Sequence, residues 1–384
     1  MIYLLIFIFI VFCVYFYDVR EYSSGRTTSY FLIFLMFVLL SALRYRVGSD
    51  SIFYEDAYDR MPDLSFYLQY LKYDNYLDYQ PLWLLIVAIA RSISSEFFVL
   101  QLIVALIFNS ILLYFFNKYT IKPFTAIAIL FVSLLFFYYN FEILRESIAV
   151  GIFLLNIKNL EEKRWVPYYL LAVLSFMFHI SAIFLFFLPL FRYIRFNYWL
   201  LFVILFFTIF FVIFKSTLLS LLFSLLFSDV MRTRMELYAE VEFSVLGFIG
   251  WFFVRVLLLI PLFMFNIYKK LNEQRFKWFY AAFLLISVLA QVLYGFDRLL
   301  NYLFPVYILL IVDFLHNYYS QIESKLLKFI IVFSIVVHVI FILEYRLVLK
   351  NEWGQRFSSV YFPYTTILNP REIPEREEYN ENFW

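Results

Sequence analysis

FFVLQLIVALIFNSILLYFF, residues 97–116, decides the fold. No side chain in it is charged, and a helix needs roughly 20 apolar residues to cross a bilayer's hydrocarbon core. The short polar stretch NKYTIK (117–122) follows, and then a second apolar run, PFTAIAILFVSLLFFYY, over 123–139. Working outward in both directions, comparable runs occupy 1–17, 27–43, 166–190, 197–214, 244–268, 276–294, 299–315 and 326–343. Two shorter runs, 147–157 and 216–228, read as short crossings inside a bundle. Residues 81–93 (PLWLLIVAIARSI) open with Pro81, which suits a first helical turn, and read as an interfacial or re-entrant helix. The expectation is an all-α, polytopic transmembrane helix bundle of about 11–13 helices, since only helices or closed barrels satisfy their backbone inside lipid.

Composition agrees. Of 384 residues, 64% are apolar and 16% charged, with 53 Phe and 33 Tyr. A soluble domain carries about 25% charged residues and could not hide so much aromatic surface. No linker-like stretch divides the chain, so residues 1–384 read as a single integral membrane domain. Its polar pieces are the 44–80 loop and the 344–384 tail. The net charge of +2 argues against a nucleic-acid partner. Cys13, the single cysteine, excludes an intrachain disulfide and a Cys-rich metal site. The first apolar run lacks a basic leader and a small-residue cleavage site, so it reads as a retained first helix.

Lysine placement sets the orientation. With the N-terminus outside, ten of the twelve lysines fall in inward loops: Lys118, Lys122, Lys158, Lys163, Lys215, Lys269, Lys270, Lys277, Lys325 and Lys328. That is the positive-inside bias. Arg192 and Arg195 run against it, which leaves a bend around His179 as an alternative to a straight crossing. On this map the 44–80 loop and the tail face outward.

The outward side is rich in arginine: Arg44, Arg46, Arg60, Arg91, Arg145, Arg192, Arg195, Arg232, Arg234 and Arg298 lie in or beside outward loops. A guanidinium grips phosphate or carboxylate with a planar fork, so this set suits a pyrophosphate or another acidic ligand. Snorkelling to headgroups is the competing explanation for any one of them. Arg145 and Arg298 stand out because each opens a span. Arg145 begins a short helix whose N-terminal N–H groups also favour an anion; an ion pair with Glu142 or Glu146 is the plain alternative. Arg255 lies within an apolar span, where a charge needs a cavity or a partner such as Asp297 or Glu142. His179, in SFMFHISAIF, is a candidate general base among small residues. His316 and His338 read as structural. In the 44–80 loop, Arg44, Arg46, Asp50, Tyr54, Glu55 and Asp56 cluster behind the second span. Carboxylates with tyrosines suit sugar hydroxyls and sugar C–H faces, although acidic residues there also simply keep a loop soluble. A cation site at Asp50, Glu55 and Asp56 matches no standard loop spacing, so no metal is expected.

Several of these stretches together resemble the EpsG-like polysaccharide polymerases and the broader Wzy-type repeat-unit polymerases. Arg46-Val-Gly48-Ser-Asp50-Ser-Ile-Phe-Tyr54 is similar to the family's first-loop pattern. Arg145-Glu146-Ser147-Ile-Ala149 resembles a later helix start, with Glu146 where glutamine is expected. Phe178-His179-Ile-Ser181-Ala182 and Arg298-Leu-Leu-Asn-Tyr302 are similar to two further elements, in the family's order, over about 44–345. The resemblance implies a glycosyltransferase of the bacterial inner membrane, with a GT-C-like bundle and an active site facing outward. It joins polyprenyl-pyrophosphate-linked oligosaccharide repeat units into an O-antigen, capsule or exopolysaccharide, with the undecaprenyl pyrophosphate carrier as leaving group. It implies no cofactor, and the lipid bilayer and a chain-length regulator as further partners. In that frame Arg145 and Arg298 hold pyrophosphate, Arg46 a second carrier, His179 or Asp50 takes the acceptor proton, and Tyr54 or Tyr302 meets sugar. Alternatives are an O-antigen ligase or other lipid-dependent glycosyltransferase, a membrane sugar O-acyltransferase, and a lipid-linked glycan flippase.

Overall fold

The long apolar runs become helices, and where they carry a polar residue or a proline they break. The computed structural model describes residues 1–73, 79–194, 197–214, 245–268, 275–292, 296–343 and 354–383. The 216–228 crossing, Lys215, Lys269, Lys270, Arg195, Arg232 and Arg234 lie outside the described residues. Among the described residues the architecture is all-helical, with isolated bridges only at Arg44–Thr366 and Thr366–Asn369.

The chain begins with α1 (Ile2–Cys13), which a π turn extends through Val19, and α2 (Arg26–Ala42). The 44–80 loop is itself folded, into α3 (Ser49–Tyr58) and α4 (Tyr67–Tyr73). Next come α5 (Pro81–Ile93), with its proline in the first turn, α6 (Phe98–Tyr119), α7 (Pro123–Val132), α8 (Leu135–Phe137), α9 (Leu144–Glu161) and α10 (Trp165–Phe176). Three continuous helices are long and apolar enough to cross a membrane: Ile2–Val19, Phe98–Tyr119 and Ile249–Asn266. Two bent pairs add to them, Pro123–Val132 with Leu135–Glu142 at 84° and Phe296–Tyr302 with Phe304–Gln321 at 50°. Shorter apolar helices include α2, α10, Ile180–Tyr193 and Lys277–Ala290. This is a membrane protein whose crossings are often broken. The straight spans expected over 123–139, 166–190 and 299–315 are each interrupted. The short crossing expected over 147–157 is a longer helix, 18 residues from Leu144.

The contacts divide the chain into two units. The first comprises Met1–Ile183, Ile308–Tyr318 and Val339–Trp384. At its centre lies α9, buried from Leu144 and Glu146 through Asn156 and Leu160. α9 packs on α6 and α10. Gly151 lets α6 come close, since a Cβ there would sit 3.3 Å from Ile111. Hydrogen bonds join α9 to α10: Ser175 Oγ donates to Ala149 O (3.2 Å) and Asn156 Nδ2 to Tyr168 O (2.8 Å). Small and amide side chains are what hold helices together where lipid removes the hydrophobic drive.

The two ends of this unit gather different loops. At one end the buried Asp18 accepts from Thr125 N–H (2.6 Å) and Oγ1 (2.9 Å), Lys122 reaches Asp18 O and Glu21, and His316 Nε2 meets Thr125 Oγ1 at 3.0 Å. The opposite end gathers 44–58, 138–146, 177–183 and the tail. From sequence, 18–26 and 117–122 are expected on the inward side and 44–80 and the tail on the outward side, with 177–183 inside a span.

In the second unit, Phe184–Tyr307 and Tyr319–His338, the helix Lys277–Val292 packs against Leu188–Tyr193, Tyr198–Ile213, Val245–Arg255 and the 3-10 turn Phe296–Tyr302. Phe263, Phe279, Phe283 and Tyr307 form an aromatic core, and the fully buried His338 packs edge-on to Tyr307 at 5.0 Å.

Candidate functional site

The site is assembled on the loop that follows α2. Arg46 has φ +49° and Gly48 φ +101°, both in the left-handed region. At Gly48 no other residue fits, because a Cβ would lie 2.4 Å from Phe141 O. This tight corner starts α3, and Glu142 caps that start: its two carboxylate oxygens accept from the N–H groups of Ser49 and Asp50, each at 3.0 Å. Two of the four unbonded N–H groups of the helix are thereby satisfied by a charge of favourable sign. Asp50 and Tyr54 are then fixed four residues apart on one helix.

The tail is part of this construction. Tyr45 N–H donates to Thr365 O (2.9 Å), Gly48 N–H to Val360 O (3.1 Å) and Ile367 N–H to Leu43 O (3.0 Å). The buried Arg376 donates to Arg46 O (2.7 Å) and Ser359 O (2.9 Å), and also to Pro363 O. Ser49 Oγ donates to Asn380 Oδ1 at 2.8 Å. The fork of Arg46 closes on Glu377, Nε at 2.9 Å and Nη2 at 2.6 Å, while Nη1 takes Asp56 at 2.7 Å. These carboxylates hold the Arg46 guanidinium well above its ordinary pKa. The polar tail read at 344–384 is, over 354–383, a strap around the motif loop. Pro374 in the first turn and Glu375 and Glu377 beside it are helix-start signals that a closer reading of 344–384 would have caught.

Arg145 lies in the first turn of α9. Its Nε donates to the Tyr54 hydroxyl at 3.0 Å, and its guanidinium sits over the rings of Tyr79 (4.5 Å) and Tyr54 (5.7 Å). Trp83 of α5 completes the aromatic wall, its ring 5.6 Å from that of Tyr54. Tyr79 and Trp83 were not singled out from sequence; aromatic residues are too common here for two of them to signal. Of the two carboxylates considered for Arg145, Glu142 accepts from the start of α3 and Glu146 from Ser181.

His179 is not inside a straight helix. The chain breaks after α10, and the N–H groups of Phe178 and His179 both turn back to Ser175 O, at 3.0 and 3.1 Å. The imidazole Nδ1 lies 2.7 Å from Ser181 Oγ, and that hydroxyl donates to Glu146 Oε1 at 3.1 Å. His179, Ser181 and Glu146 are 5%, 9% and 1% exposed, so the chain of contacts is buried.

Three of the sequence motifs therefore meet in the first unit: Tyr54 touches Arg145, and Glu146 next to it reaches Ser181 and His179. The remaining candidates belong to the second unit. Arg298 is exposed in the 3-10 turn Phe296–Tyr302, ahead of the bend, and Tyr302 is fully buried. Arg255 lies within the apolar span Ile249–Asn266. It is the last residue of Val245–Arg255, where the helix breaks before Leu257–Leu259. Beside the first site, Arg60, Asp63, Phe66, Gln69, Tyr70 and Arg91 line a hollow of about 340 Å³.

The model of the EpsG family matches residues 27–366. This chain belongs to the EpsG family. The match runs from α2 to residue 366, short of the tail helix that carries Arg376 and Glu377, and includes all four motifs. No curated protein and no solved structure matches the chain. EpsG membership fits a polysaccharide polymerase role, and the glycosyltransferase-like activity that goes with it, in a membrane protein.

Proposed function

We propose that this EpsG-family protein is the polymerase that links polyprenyl-pyrophosphate-bound oligosaccharide repeat units into a surface polysaccharide. It would work at the outer face of the bacterial inner membrane, the side that the lysine distribution assigns to the 44–80 loop. The observation that supports this best is the meeting of Tyr54, Arg145, Glu146, Ser181 and His179, which come from three separated motifs.

The chemistry needs a group that binds the pyrophosphate and stabilises the charge that develops on it as it leaves. Arg145 fits that task. Ring faces and a hydroxyl position its guanidinium. Arg298 and Arg255 are further candidates for the lipid-linked substrate, with Tyr302 beside Arg298 in the same turn. The acceptor hydroxyl needs a base, for which Asp50 and His179 are available. The hollow between Arg60, Phe66, Tyr70 and Arg91 offers aromatic faces and hydrogen-bonding groups suited to a sugar. In this reading Arg46 holds the loop and the tail together, in place of the carrier-binding role expected from sequence.

The test is deletion of the gene in its own host, with the surface polysaccharide run on a gel. Collapse of the long-chain ladder to single repeat units, restored by the wild-type chain and not by Arg145→Ala, is the expected result. Long chains of normal length with altered acetyl content would end the polymerase reading in favour of a tailoring enzyme. Loss of all surface glycan, single units included, would move it to export or ligation.

A further inference from the structure

The hollow of about 340 Å³ at Arg60 and Arg91 has walls that are fixed by hydrogen bonds. Leu64 N–H donates to Ser92 Oγ at 3.0 Å, which ties the loop after α3 to the end of α5. The Tyr67 hydroxyl donates to Pro81 O at 2.8 Å and ties α4 to the start of α5. Asp63 Oδ1 accepts from the N–H groups of Ser65 (2.8 Å) and Phe66 (3.2 Å), which fixes the turn that carries Phe66. The volume lies at the small end of ligand pockets, roughly 300–1,000 Å³, and suits a sugar residue better than a whole oligosaccharide. Its charge is more informative than its size. Two guanidiniums line it against one carboxylate, Asp63, whose Oδ1 is already engaged by two backbone donors. Arg91 is anchored over the Tyr58 ring at 5.2 Å, and it donates to Asp59 Oδ1 (3.3 Å) and Asp59 O (3.2 Å). The Asp59 side chain is 85% exposed, so that ion pair is a screened surface contact and leaves other N–H donors of Arg91 for a ligand. Arg60 is exposed, and among the described residues its guanidinium makes no hydrogen bond or ion pair. Solvation explains one exposed arginine; it does not explain two on one hollow that also has the rings of Phe66 and Tyr70 and the amide of Gln69.

We infer that this hollow selects a negatively charged sugar of the repeat unit, with its carboxylate or phosphate gripped by Arg60 and Arg91 and its ring on Phe66. The inference rests on the polymerase reading for the repeat unit itself, and it narrows that substrate to an acidic glycan. A guanidinium's planar fork matches either anion through two parallel hydrogen bonds. The second Asp63 oxygen accepts from a ring hydroxyl, and the Phe66 ring covers the sugar's C–H face. A neutral sugar in the same place would cover Arg60 without offering it a counter-charge, and that difference is the source of discrimination.

The experiment uses the host's own surface polysaccharide, cut to single repeat units and analysed for acidic sugars. Full-length protein in phosphatidylcholine nanodiscs is then titrated with the native fragment and with the same fragment neutralised by carboxyl reduction or phosphatase. The native fragment should bind about 10–100-fold more tightly, the worth of a charge-assisted hydrogen bond. Raising salt from about 50 mM to about 500 mM should remove most of that difference. Arg60→Gln and Arg91→Gln should each weaken the native fragment by about 10-fold and leave the neutralised one unchanged. Phe66→Ala should weaken both fragments alike. Arg60→Gln breaks no contact within the protein, so its melting temperature should match wild type and a lost affinity cannot be laid to misfolding. A polysaccharide of neutral sugars only, equal binding of the two fragments, or an Arg60→Gln protein that binds the native fragment normally overturns the inference. So does native-fragment binding that phosphatidylglycerol in the nanodisc abolishes, which would make the hollow a lipid-headgroup site. If the acidic fragment binds through Arg60 while deletion of the gene leaves the long-chain ladder intact, the polymerase reading falls and the acidic-sugar site stands. A ladder that collapses to neutral repeat units gives the reverse.

Discussion

Arg46 and Arg145 open two sequence motifs of the same kind, and the fold treats them in opposite ways. Arg46 is locked between Asp56 and Glu377, its backbone carbonyl is held by Arg376, and the loop on either side is strapped to the tail. Arg145 lies on the faces of Tyr79 and Tyr54 with its Nε on a phenol oxygen. A guanidinium closed by two carboxylates is a clamp, because its charge and its fork are already used. Ring faces and a phenol oxygen orient the Arg145 guanidinium. The lesson is that an arginine in a motif does not by itself mean a ligand; what the surrounding elements set against it decides.

The largest effect should separate the two. Arg145→Ala should lower kcat/KM for polymerisation by about 10²–10³-fold, roughly 3–4 kcal/mol of transition-state stabilisation. Its melting temperature in detergent should move by only a few degrees. Arg145→Lys should recover little, since a point charge replaces a planar fork stacked on rings. An Arg145→Ala protein that polymerises normally would remove Arg145 from the site and leave the comparison without its active half.

A smaller effect should break the clamp. Glu377→Gln removes one charge from the Arg46 fork and should destabilise the protein by about 1–3 kcal/mol, the usual cost of leaving a partly buried charge short of its partner. The loss should show first as faster hydrogen exchange over 44–48 and 359–367, whose backbones hydrogen-bond to each other. Polymerisation per folded molecule should hold within a few-fold. Loss of activity with no change in exchange would show that Arg46 binds substrate after all.

Much of this was legible in the sequence, for reasons that also explain what was not. The helices could be read because a 20-residue apolar run admits few other structures, and Arg145 and His179 because polar residues in such runs require a reason. The breaks were harder. The prolines and polar residues in LPLF and FDRLLNYLFP mark weak points in a helix but not whether it bends or stops there, which tertiary packing settles. The role of Arg46 could not be read at all, since Glu377 is more than three hundred residues away and becomes its partner only when the tail folds back. Glu146 was visible as a departure from the expected glutamine, but its reach to Ser181 depends on the break after Phe176 that places His179 and Ser181 on a turn.

The smallest effect tests how crowded the Arg46 end is. Glu55 lies on α3 next to Asp56; burial pushes its carboxyl up to about 7, Asp56 adds to the rise, and Arg46 pulls the other way. A folded-state pKa above the unfolded value of about 4.5 means that folding prefers the protonated acid. That contribution is complete below the unfolded pKa and is lost as pH rises toward 7. The full shift corresponds to at most about 3 kcal/mol, and screening at a half-buried site reduces it to about 1–2 kcal/mol. Glu55→Gln has no proton to lose, so it should match wild type near pH 4.5 and exceed its stability at pH 8 in thermal unfolding. In an Arg46→Ala background the gap at pH 8 should widen, because the guanidinium that offsets the carboxyl's ionisation is gone. If the two proteins keep a constant gap from pH 4.5 to 8, Glu55 titrates as it would in water, and the clamp around Arg46 is wetter than its buried carbonyl contacts imply.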